Sequence, residues 1–313
     1  MLNRRYLRIK VMQALYAFFQ HENQDVYKGE KELFNSIEKI YDLYAFLLML
    51  LIEIRDFAEN SSEEAKNKKL PSQNDLVPNT KFLNNRLIKQ LAVNMTLSKE
   101  SSNRKLSWQN EPELIKKIFN NIKASEEYEK YLSDEHSYKS DKDFIIDMYK
   151  KHIAEFESLV YLFEEKSIYW VDDLRLVNIM VLKTLESFKE DANEHFSLLP
   201  LYKDEDDKSF VQELFRRTIL NNEMNEKLIG DKTKNWEVDR IAMMDVLLMK
   251  MAISEVLHFP SIPVKVTLNE FIEISKLYST PKSKLFINGI LDKLIADFKD
   301  QKKYTKVGRG LME

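Results

Sequence analysis

Glycine stands at only five places in this 313-residue chain, at 29, 230, 289, 308 and 310, and proline at only seven. These two residues supply most of the tight reversals a polypeptide can make. A chain so poor in them, and rich in Leu, Lys, Glu and Ile, folds into long helices with few sharp turns. The expectation is an all-α bundle of about nine to ten helices. With 44% hydrophobic and 11% aromatic residues there is ample material for a core.

The same glycine placement excludes chemistry. No phosphate-cradling loop and no dinucleotide fingerprint can be assembled from it. Serines, histidines and aspartates occur without nucleophile-elbow spacing, and nothing marks one pair among the 51 acidic residues for acid/base work. The chain is therefore not expected to be an enzyme, nor to carry a cofactor. Cysteine is absent, which removes disulfides, thiolate zinc sites and cysteine nucleophiles together. The five histidines are scattered. Glu255 and His258 have the Glu-x-x-His spacing of di-iron bundles, but those need two such pairs, so no metal site is expected. Asp191 and His195 read as a solvated i, i+4 pair.

Arg4, Arg5, Arg8 and Lys10 break up any signal-peptide core, and a cysteine-free chain fits a reducing cytoplasm, which is the expected location. The most apolar run, Leu43 to Ile54, is shorter than the roughly 20 residues a bilayer span needs and reads as a buried helix. The formal net charge of -3 argues against indiscriminate coating of nucleic acid, so any such site must be local.

One local concentration of positive charge is at the start, "NRRYLRIKVMQALYAFFQ". Leu7, Val11, Ala14, Leu15 and Phe18 recur at the spacing that gathers side chains into one helical stripe, predicting a helix over residues 4–20 capped by Asn3. Arg4, Arg5 and Arg8 then sit in the first turns, beside outward-pointing N–H groups. Cations there oppose the macrodipole by about 0.3–1 kcal/mol each. Arginines with unpaired amides suit an anion such as phosphate. The plain alternative is the solvated end of a core helix.

Farther along, a helix over 31–58 follows a connector, and polar segments at 60–79 and 98–112 read as loops, Trp108 being the one large apolar residue of the second. Two amphipathic helices, "RLIKQLAVNM" and "ELIKKIFNNI", lie between and after them. From Asp141 the chain matches itself at a shift of 66 residues: Phe144 on Phe210, Tyr149 on Phe215, Lys150 and Lys151 on Arg216 and Arg217, Ile153 on Ile219, Leu162 on Leu228, Trp170 on Trp236, Asp173 on Asp239, Leu182 on Leu248. Each copy reads as a helical hairpin with the tryptophan near the entry to its second helix. Two amphipathic pairs can share such a pattern by chance, and the repeat speaks to fold alone. Beyond it, Pro260 and Pro263 end one helix, "VTLNEFIEISKLY" forms the next, Ser283 is placed to cap a last one from about Lys284 to Phe298, and 303–313 reads as a mobile tail.

Two stretches resemble the NusB family of bacterial transcription antitermination factors. Arg4, Arg5, Arg8, Gln13, Ala14, Leu15 and Tyr16 are similar to its opening motif, although Leu7 and Ile9 replace the usual Ala and Glu. Trp236, Arg240, Asp245, Leu247, Leu248, Glu255, Ile262, Pro263, Lys265, Val266, Asn269, Glu270, Lys276, Ser283, Phe286, Asn288, Gly289 and Asp292 keep the order and spacing of its C-terminal block. "FVQELFRRTI" is similar to the family helix before that block. The resemblance covers about 110 residues. It divides the chain into a basic helix (1–20), an enlarged helical region (21–205), a C-terminal helical domain (206–302) and the tail.

The resemblance implies an RNA-binding, non-catalytic protein that pairs with the ribosomal protein NusE, binds single-stranded boxA-like RNA of ribosomal RNA leaders, and serves the RNA polymerase antitermination complex. By motif, Arg4, Arg5 and Arg8 would contact RNA. Phe286, with Lys282, Ser283 and Lys284, would line the same surface, and Asp245 would face the protein partner. On the sequence alone Phe286, between Leu285 and Ile287 on a helix, reads as core, and the resemblance brings the surface reading level with it; Asp245 reads equally as an internal cap or pair. Trp236, Leu248 and Pro263 read as structural, and Asn288 with Gly289 as a close helix contact. A rival class, the ribosomal RNA cytosine-5 methyltransferases that carry a related domain, needs a glycine-rich cofactor loop and cysteine nucleophiles. The other rival is a helical protein-interaction scaffold that kept the fold without specific RNA binding.

Overall fold

The computed structural model describes residues 2–21, 25–233 and 242–311. Trp236, Asp239 and Arg240 lie outside the described residues. Within these there are fifteen α-helices and no strand. The chain splits into two compact units, one of Met1–Ile37 with Tyr202–Glu313 and one of Glu38–Leu201. The first opens with α1 (Arg4–Gln20) and the first turns of α2 (Val26–Lys66). The second takes the rest of α2, then a single turn α3 (Gln73–Leu76), α4 (Arg86–Ala92), α5 (Met95–Arg104), α6 (Pro112–Lys123), α7 (Glu126–Ser133), α8 (Tyr138–His152), α9 (Glu157–Lys166) and α10 (Leu174–Ser187). The chain returns to the first unit with α11 (Glu205–Leu220), α12 (Asn222–Lys232), α13 (Met243–His258), α14 (Val264–Tyr278) and α15 (Ser283–Asp300), followed by a 3-10 turn at Gly308–Leu311.

The all-helical class is as expected, but nine to ten helices is too few. The extra ones include short pieces between 95 and 133 started by side-chain caps: Asn94 accepts from the Leu97 N–H and Ser125 from Tyr128, while the expected helix at 86–95 is α4, where Asn85 accepts from Ile88. Periodicity over an 11–18-residue window passes over elements this short. The expected loop at 98–112 is for the same reason half helix, α5 reaching Arg104. Trp108 then packs under the remaining loop, stacked on Phe46 at 3.9 Å with its indole N–H donating to the Phe46 carbonyl at 2.9 Å. α2 begins earlier than 31, where Asp25 accepts from the Tyr27 and Lys28 N–H groups, and ends later than 58, because the good helix formers of "EEAK" carry it on to Lys66. Each expected hairpin is in fact three helices, α8 to α10 and α11 to α13.

In the second unit the apolar stretch of α2 is covered on all sides, Leu43 through Leu48 being at most 2% exposed. Tyr44 is tied to Thr184 on α10 by a 2.5 Å hydroxyl contact, and burial raises its pKa. The first unit is built around α13, whose buried residues point all round and which packs against α1, α11, α12, α14 and α15. α1 forms as expected, Asn3 accepting from the Tyr6 N–H and Leu7, Val11, Leu15 and Phe18 turned inward. Gly29 admits no side chain: a Cβ there would stand 2.9 Å from Phe18 and 3.0 Å from Phe215, two buried rings in edge contact.

Two further expectations need correction. Ser283 does not cap α15. Lys282 is the cap residue, and the Ser283 hydroxyl turns back to accept from the Thr280 N–H at 3.2 Å. The tail does not run loose through 311. Lys306 Nζ donates to the last carbonyls of α13, Val256 at 2.9 Å and Phe259 at 3.0 Å, and the Val307 N–H donates to Pro260 O at 3.0 Å. The Val256 carbonyl, four residues before Pro260, is one that the helix end leaves unsatisfied, so a cation there has an electrostatic reason to stay. Burial in turn pushes the Lys306 pKa down.

Candidate nucleic-acid interface

The first turns of α1 carry three arginines because Asn3 starts the helix one residue before them. α11, α13 and α14 meet them with an acid each. Arg4 Nε donates to Asp207 on α11 at 3.2 Å, and its guanidinium lies 4.8 Å from the Phe210 ring centre. Arg5 forms a two-pronged pair with Glu270 on α14, at 2.9 and 2.8 Å, and this hydrogen bonding is the main cause of its raised pKa. Arg8 forms the same kind of fork with Glu255 on α13, at 2.7 Å for both bonds, and Thr267 donates to that carboxylate at 2.7 Å.

These three arginines are not equivalent. The Arg4 and Arg5 side chains are 38% and 40% exposed, whereas Arg8 is 2% exposed and Glu255 fully buried. Arg8, expected as an RNA contact, is an internal strut joining α1 to α13. The reason is depth along the helix: α1 is buried all round from Leu7 to Met12, where α13 and α14 close over it, while positions 4 and 5 lie at its open end. Glu255 is thereby occupied as well, so it is no partner of His258 in a metal site. His258 contacts Asn221 at 3.2 Å instead. Among the described residues no group of three or more His, Asp or Glu could hold a metal ion, and no helix is long and apolar enough to cross a membrane.

At the other end of the expected surface, Lys282 and Lys284 are exposed, Phe286 is half-buried and Ser283 is 2% exposed. Ser283 is thus enclosed. Its hydroxyl contacts Thr280 Oγ1 at 2.8 Å and Ser279 Oγ at 3.0 Å, and Ser279 donates to Asp245. Asp245, expected to face a protein partner, is 5% exposed and its carboxylate accepts from the α14–α15 turn. An acid on an otherwise apolar helix is satisfied here by neighbouring serines. Asp245 and Ser283 together fix how α15 begins.

The two halves of the surface meet around Glu273 on α14. Its pKa is held low first by hydrogen bonding to Lys276, then by the charges of Lys276, Arg5 and Lys284. Arg5 from α1, Lys276 from α14 and Lys284 from α15 are therefore electrostatic neighbours. Sequence reasoning had not chosen Glu270, Glu273 or Lys276, although Glu270 and Lys276 stood inside the matched block. It also missed Asp207, although the 66-residue shift sets it against Asp141 and it stands just ahead of "FVQELFRR" on α11.

The chain matches the model of the NusB family over residues 172–296. It is 41% identical over 138 residues to the transcription antitermination protein NusB of Salinibacter ruber, a match spanning 42% of this chain and 86% of that protein. The namesake of Chloroherpeton thalassium is 41% identical over 106 residues (34% of this chain, 50% of that protein), and that of Geotalea daltonii 37% over 93 residues (30% and 64%). No solved structure matches. Identity at this level across most of the Salinibacter ruber protein, with the family model over α11 to α14 and most of α15, makes this chain a member of the NusB family.

Proposed function

We propose that this protein is a transcription antitermination factor that binds boxA-like single-stranded RNA of ribosomal RNA leaders together with the ribosomal protein NusE, within the RNA polymerase antitermination complex. The observation that carries the RNA reading is that Arg5, partly exposed on α1 and forked to Glu270 on α14, stands on the same packed helices as Lys276 of α14 and the exposed Lys282 and Lys284 at the start of α15, α14 being packed on both α1 and α15. Arg4 and Lys282 extend the cationic face, and Phe286 is its aromatic component. Arginines already held by carboxylates are fixed in direction but keep N–H groups to offer, which suits recognition of a phosphate or a guanine edge. A half-exposed ring can stack on an unpaired base for about 1–3 kcal/mol. Arg8 supports this face by holding α1 on α13, and Asp245 and Ser283 support it by fixing the start of α15.

The test is a fluorescence-anisotropy titration of a short boxA-like RNA against a scrambled one, at two salt concentrations, with and without NusE. Parent protein is compared with Arg5→Ala/Lys282→Ala/Lys284→Ala. Loss of three phosphate contacts should weaken binding and flatten the salt slope by about 2. Equal weak binding of both RNAs by both proteins overturns the reading and leaves the protein-interaction scaffold in its place.

A further inference from the structure

The second unit is larger than the part of the chain its relatives account for, and its helices reproduce those of the first. α8, α9 and α10 begin 65 to 69 residues before α11, α12 and α13. At the constant shift of 66 the inward positions also coincide. Asp141, Phe144, Ile145, Met148 and Tyr149 are buried on α8, and Asp207, Phe210, Val211, Leu214 and Phe215 on α11. Leu159 and Phe163 are the buried residues of α9, and Asn225 and Ile229 those of α12. Chance amphipathicity explains a shared period; it does not explain a shared register across two helices and the turn between them.

The contact to a preceding helix is repeated too. α1 packs on α11, and α4 packs on α8. Each of those first helices starts at an Asn cap followed by an arginine, Asn3–Arg4 and Asn85–Arg86. In each, the arginine Nε donates to the aspartate of the same repeat position, Arg4 to Asp207 at 3.2 Å and Arg86 to Asp141 at 3.1 Å. The two aspartates are 4–5% exposed, and the arginines 38% and 42%.

We infer that residues 85–187 are a second, diverged copy of the helical core formed by α1 and α11 to α13, and that in this copy the chain itself closes the arginine end, so that the second unit does not take the RNA. Its α4 carries one arginine where α1 carries three. Nothing follows α10 that corresponds to α14 and α15, the helices that supply Lys276, Lys282, Lys284 and Phe286 in the first unit. In their place residues 188–196 lie along α4. Gln90 Nε2 donates to Lys189 O at 2.9 Å and Ala192 O at 3.1 Å, Asn94 Nδ2 to Phe196 O at 2.8 Å, and the Met95 N–H to Glu194 O at 2.9 Å. Glu190 reaches Arg86 Nη1 at 2.6 Å, a carboxylate where an incoming phosphate would have to sit. Lys142 is turned onto the carbonyls of Glu186 and Phe188. Arg86 is thus held by two carboxylates, Asp141 and Glu190, where Arg4 and Arg5 each bond to one, and is committed to the fold more fully than either.

The clause on RNA rests on the reading of the first unit given above; the duplication does not. Two measurements on the full chain separate them. In thermal unfolding, Asp141→Asn and Asp207→Asn should each lower the midpoint by about 2–4 °C, since each removes the same latch. A silent Asp141→Asn beside a destabilising Asp207→Asn overturns the equivalence of the copies. In the boxA-like RNA titration, Arg86→Ala should leave affinity within about twofold and the salt slope unchanged, while Arg5→Ala weakens binding. Equal loss in both variants means the second unit reads RNA and overturns the inference while sparing the RNA function. A silent Arg5→Ala strikes at the proposed function instead, and the aspartate comparison still decides the duplication.

Discussion

At the scale of single residues, Arg8 and Glu255 form a buried ion pair whose worth lies in what happens when it is broken. Removing one partner strands a charge at a site with no water, which costs about 3–5 kcal/mol, whereas an apolar pair of similar volume is far better tolerated. Arg8→Met and Glu255→Leu should each strongly lower stability in urea unfolding, and the double variant should recover much of the loss. A double variant as unstable as the sum of the singles contradicts this account. His258 provides a pH signature. Burial first, and then the charge of Arg217, hold its pKa below the usual value, against the opposing pull of Glu213. The folded state therefore binds fewer protons than the unfolded one. Stability from this group is present above the unfolded pKa of about 6.5 and falls as the pH drops from there through the folded pKa. His258→Gln should make the unfolding midpoint less dependent on pH between about 7 and 5, and an unchanged profile would show that the group does not titrate in this way.

Among the elements, the chain after α15 is held by backbone fit. A Cβ on Gly310 would stand 2.0 Å from the Pro260 carbonyl oxygen, which cannot move aside as a flexible side chain would. Gly310→Ala should therefore lift the 3-10 turn off the end of α13 and weaken the Val307–Pro260 hydrogen bond, a loss of about 1 kcal/mol. Limited proteolysis checks it: cleavage between Lys303 and Leu311 should be several-fold faster in the variant, and an unchanged rate would refute the docking. The elements also mark where periodicity is informative. α1 was legible to the residue and α14 to within two residues at its start, because a cap or proline stands immediately before an apolar stripe. α4 was legible as a helix but read three residues too long, and α5 and α7 were not legible, since 8 to 10 residues give about two turns and too few repeats to define a face.

For the whole molecule, stability should be concentrated in the two helices enclosed all round, the middle of α2 in one unit and α13 in the other. Amides of Leu43 to Leu51 and of Leu247 to Val256 should be the slowest to exchange in hydrogen–deuterium measurements, and those of 67–72 among the fastest. Faster exchange in α13 than in α12 would contradict a core built around it. The helical class, the start of α1, the enclosed run of α2 and the family membership were all determined by the sequence alone, because each depends on residues within a few turns of one another or on a motif kept in order. Which arginine meets solvent was decided only by the tertiary structure. Arg8 and Glu255 stand 247 positions apart, and Arg5 and Glu270 265 apart. Two arginines three residues apart on one helix are alike in every local property; only the packing of α13 and α14 against that helix buries one and leaves the other facing water.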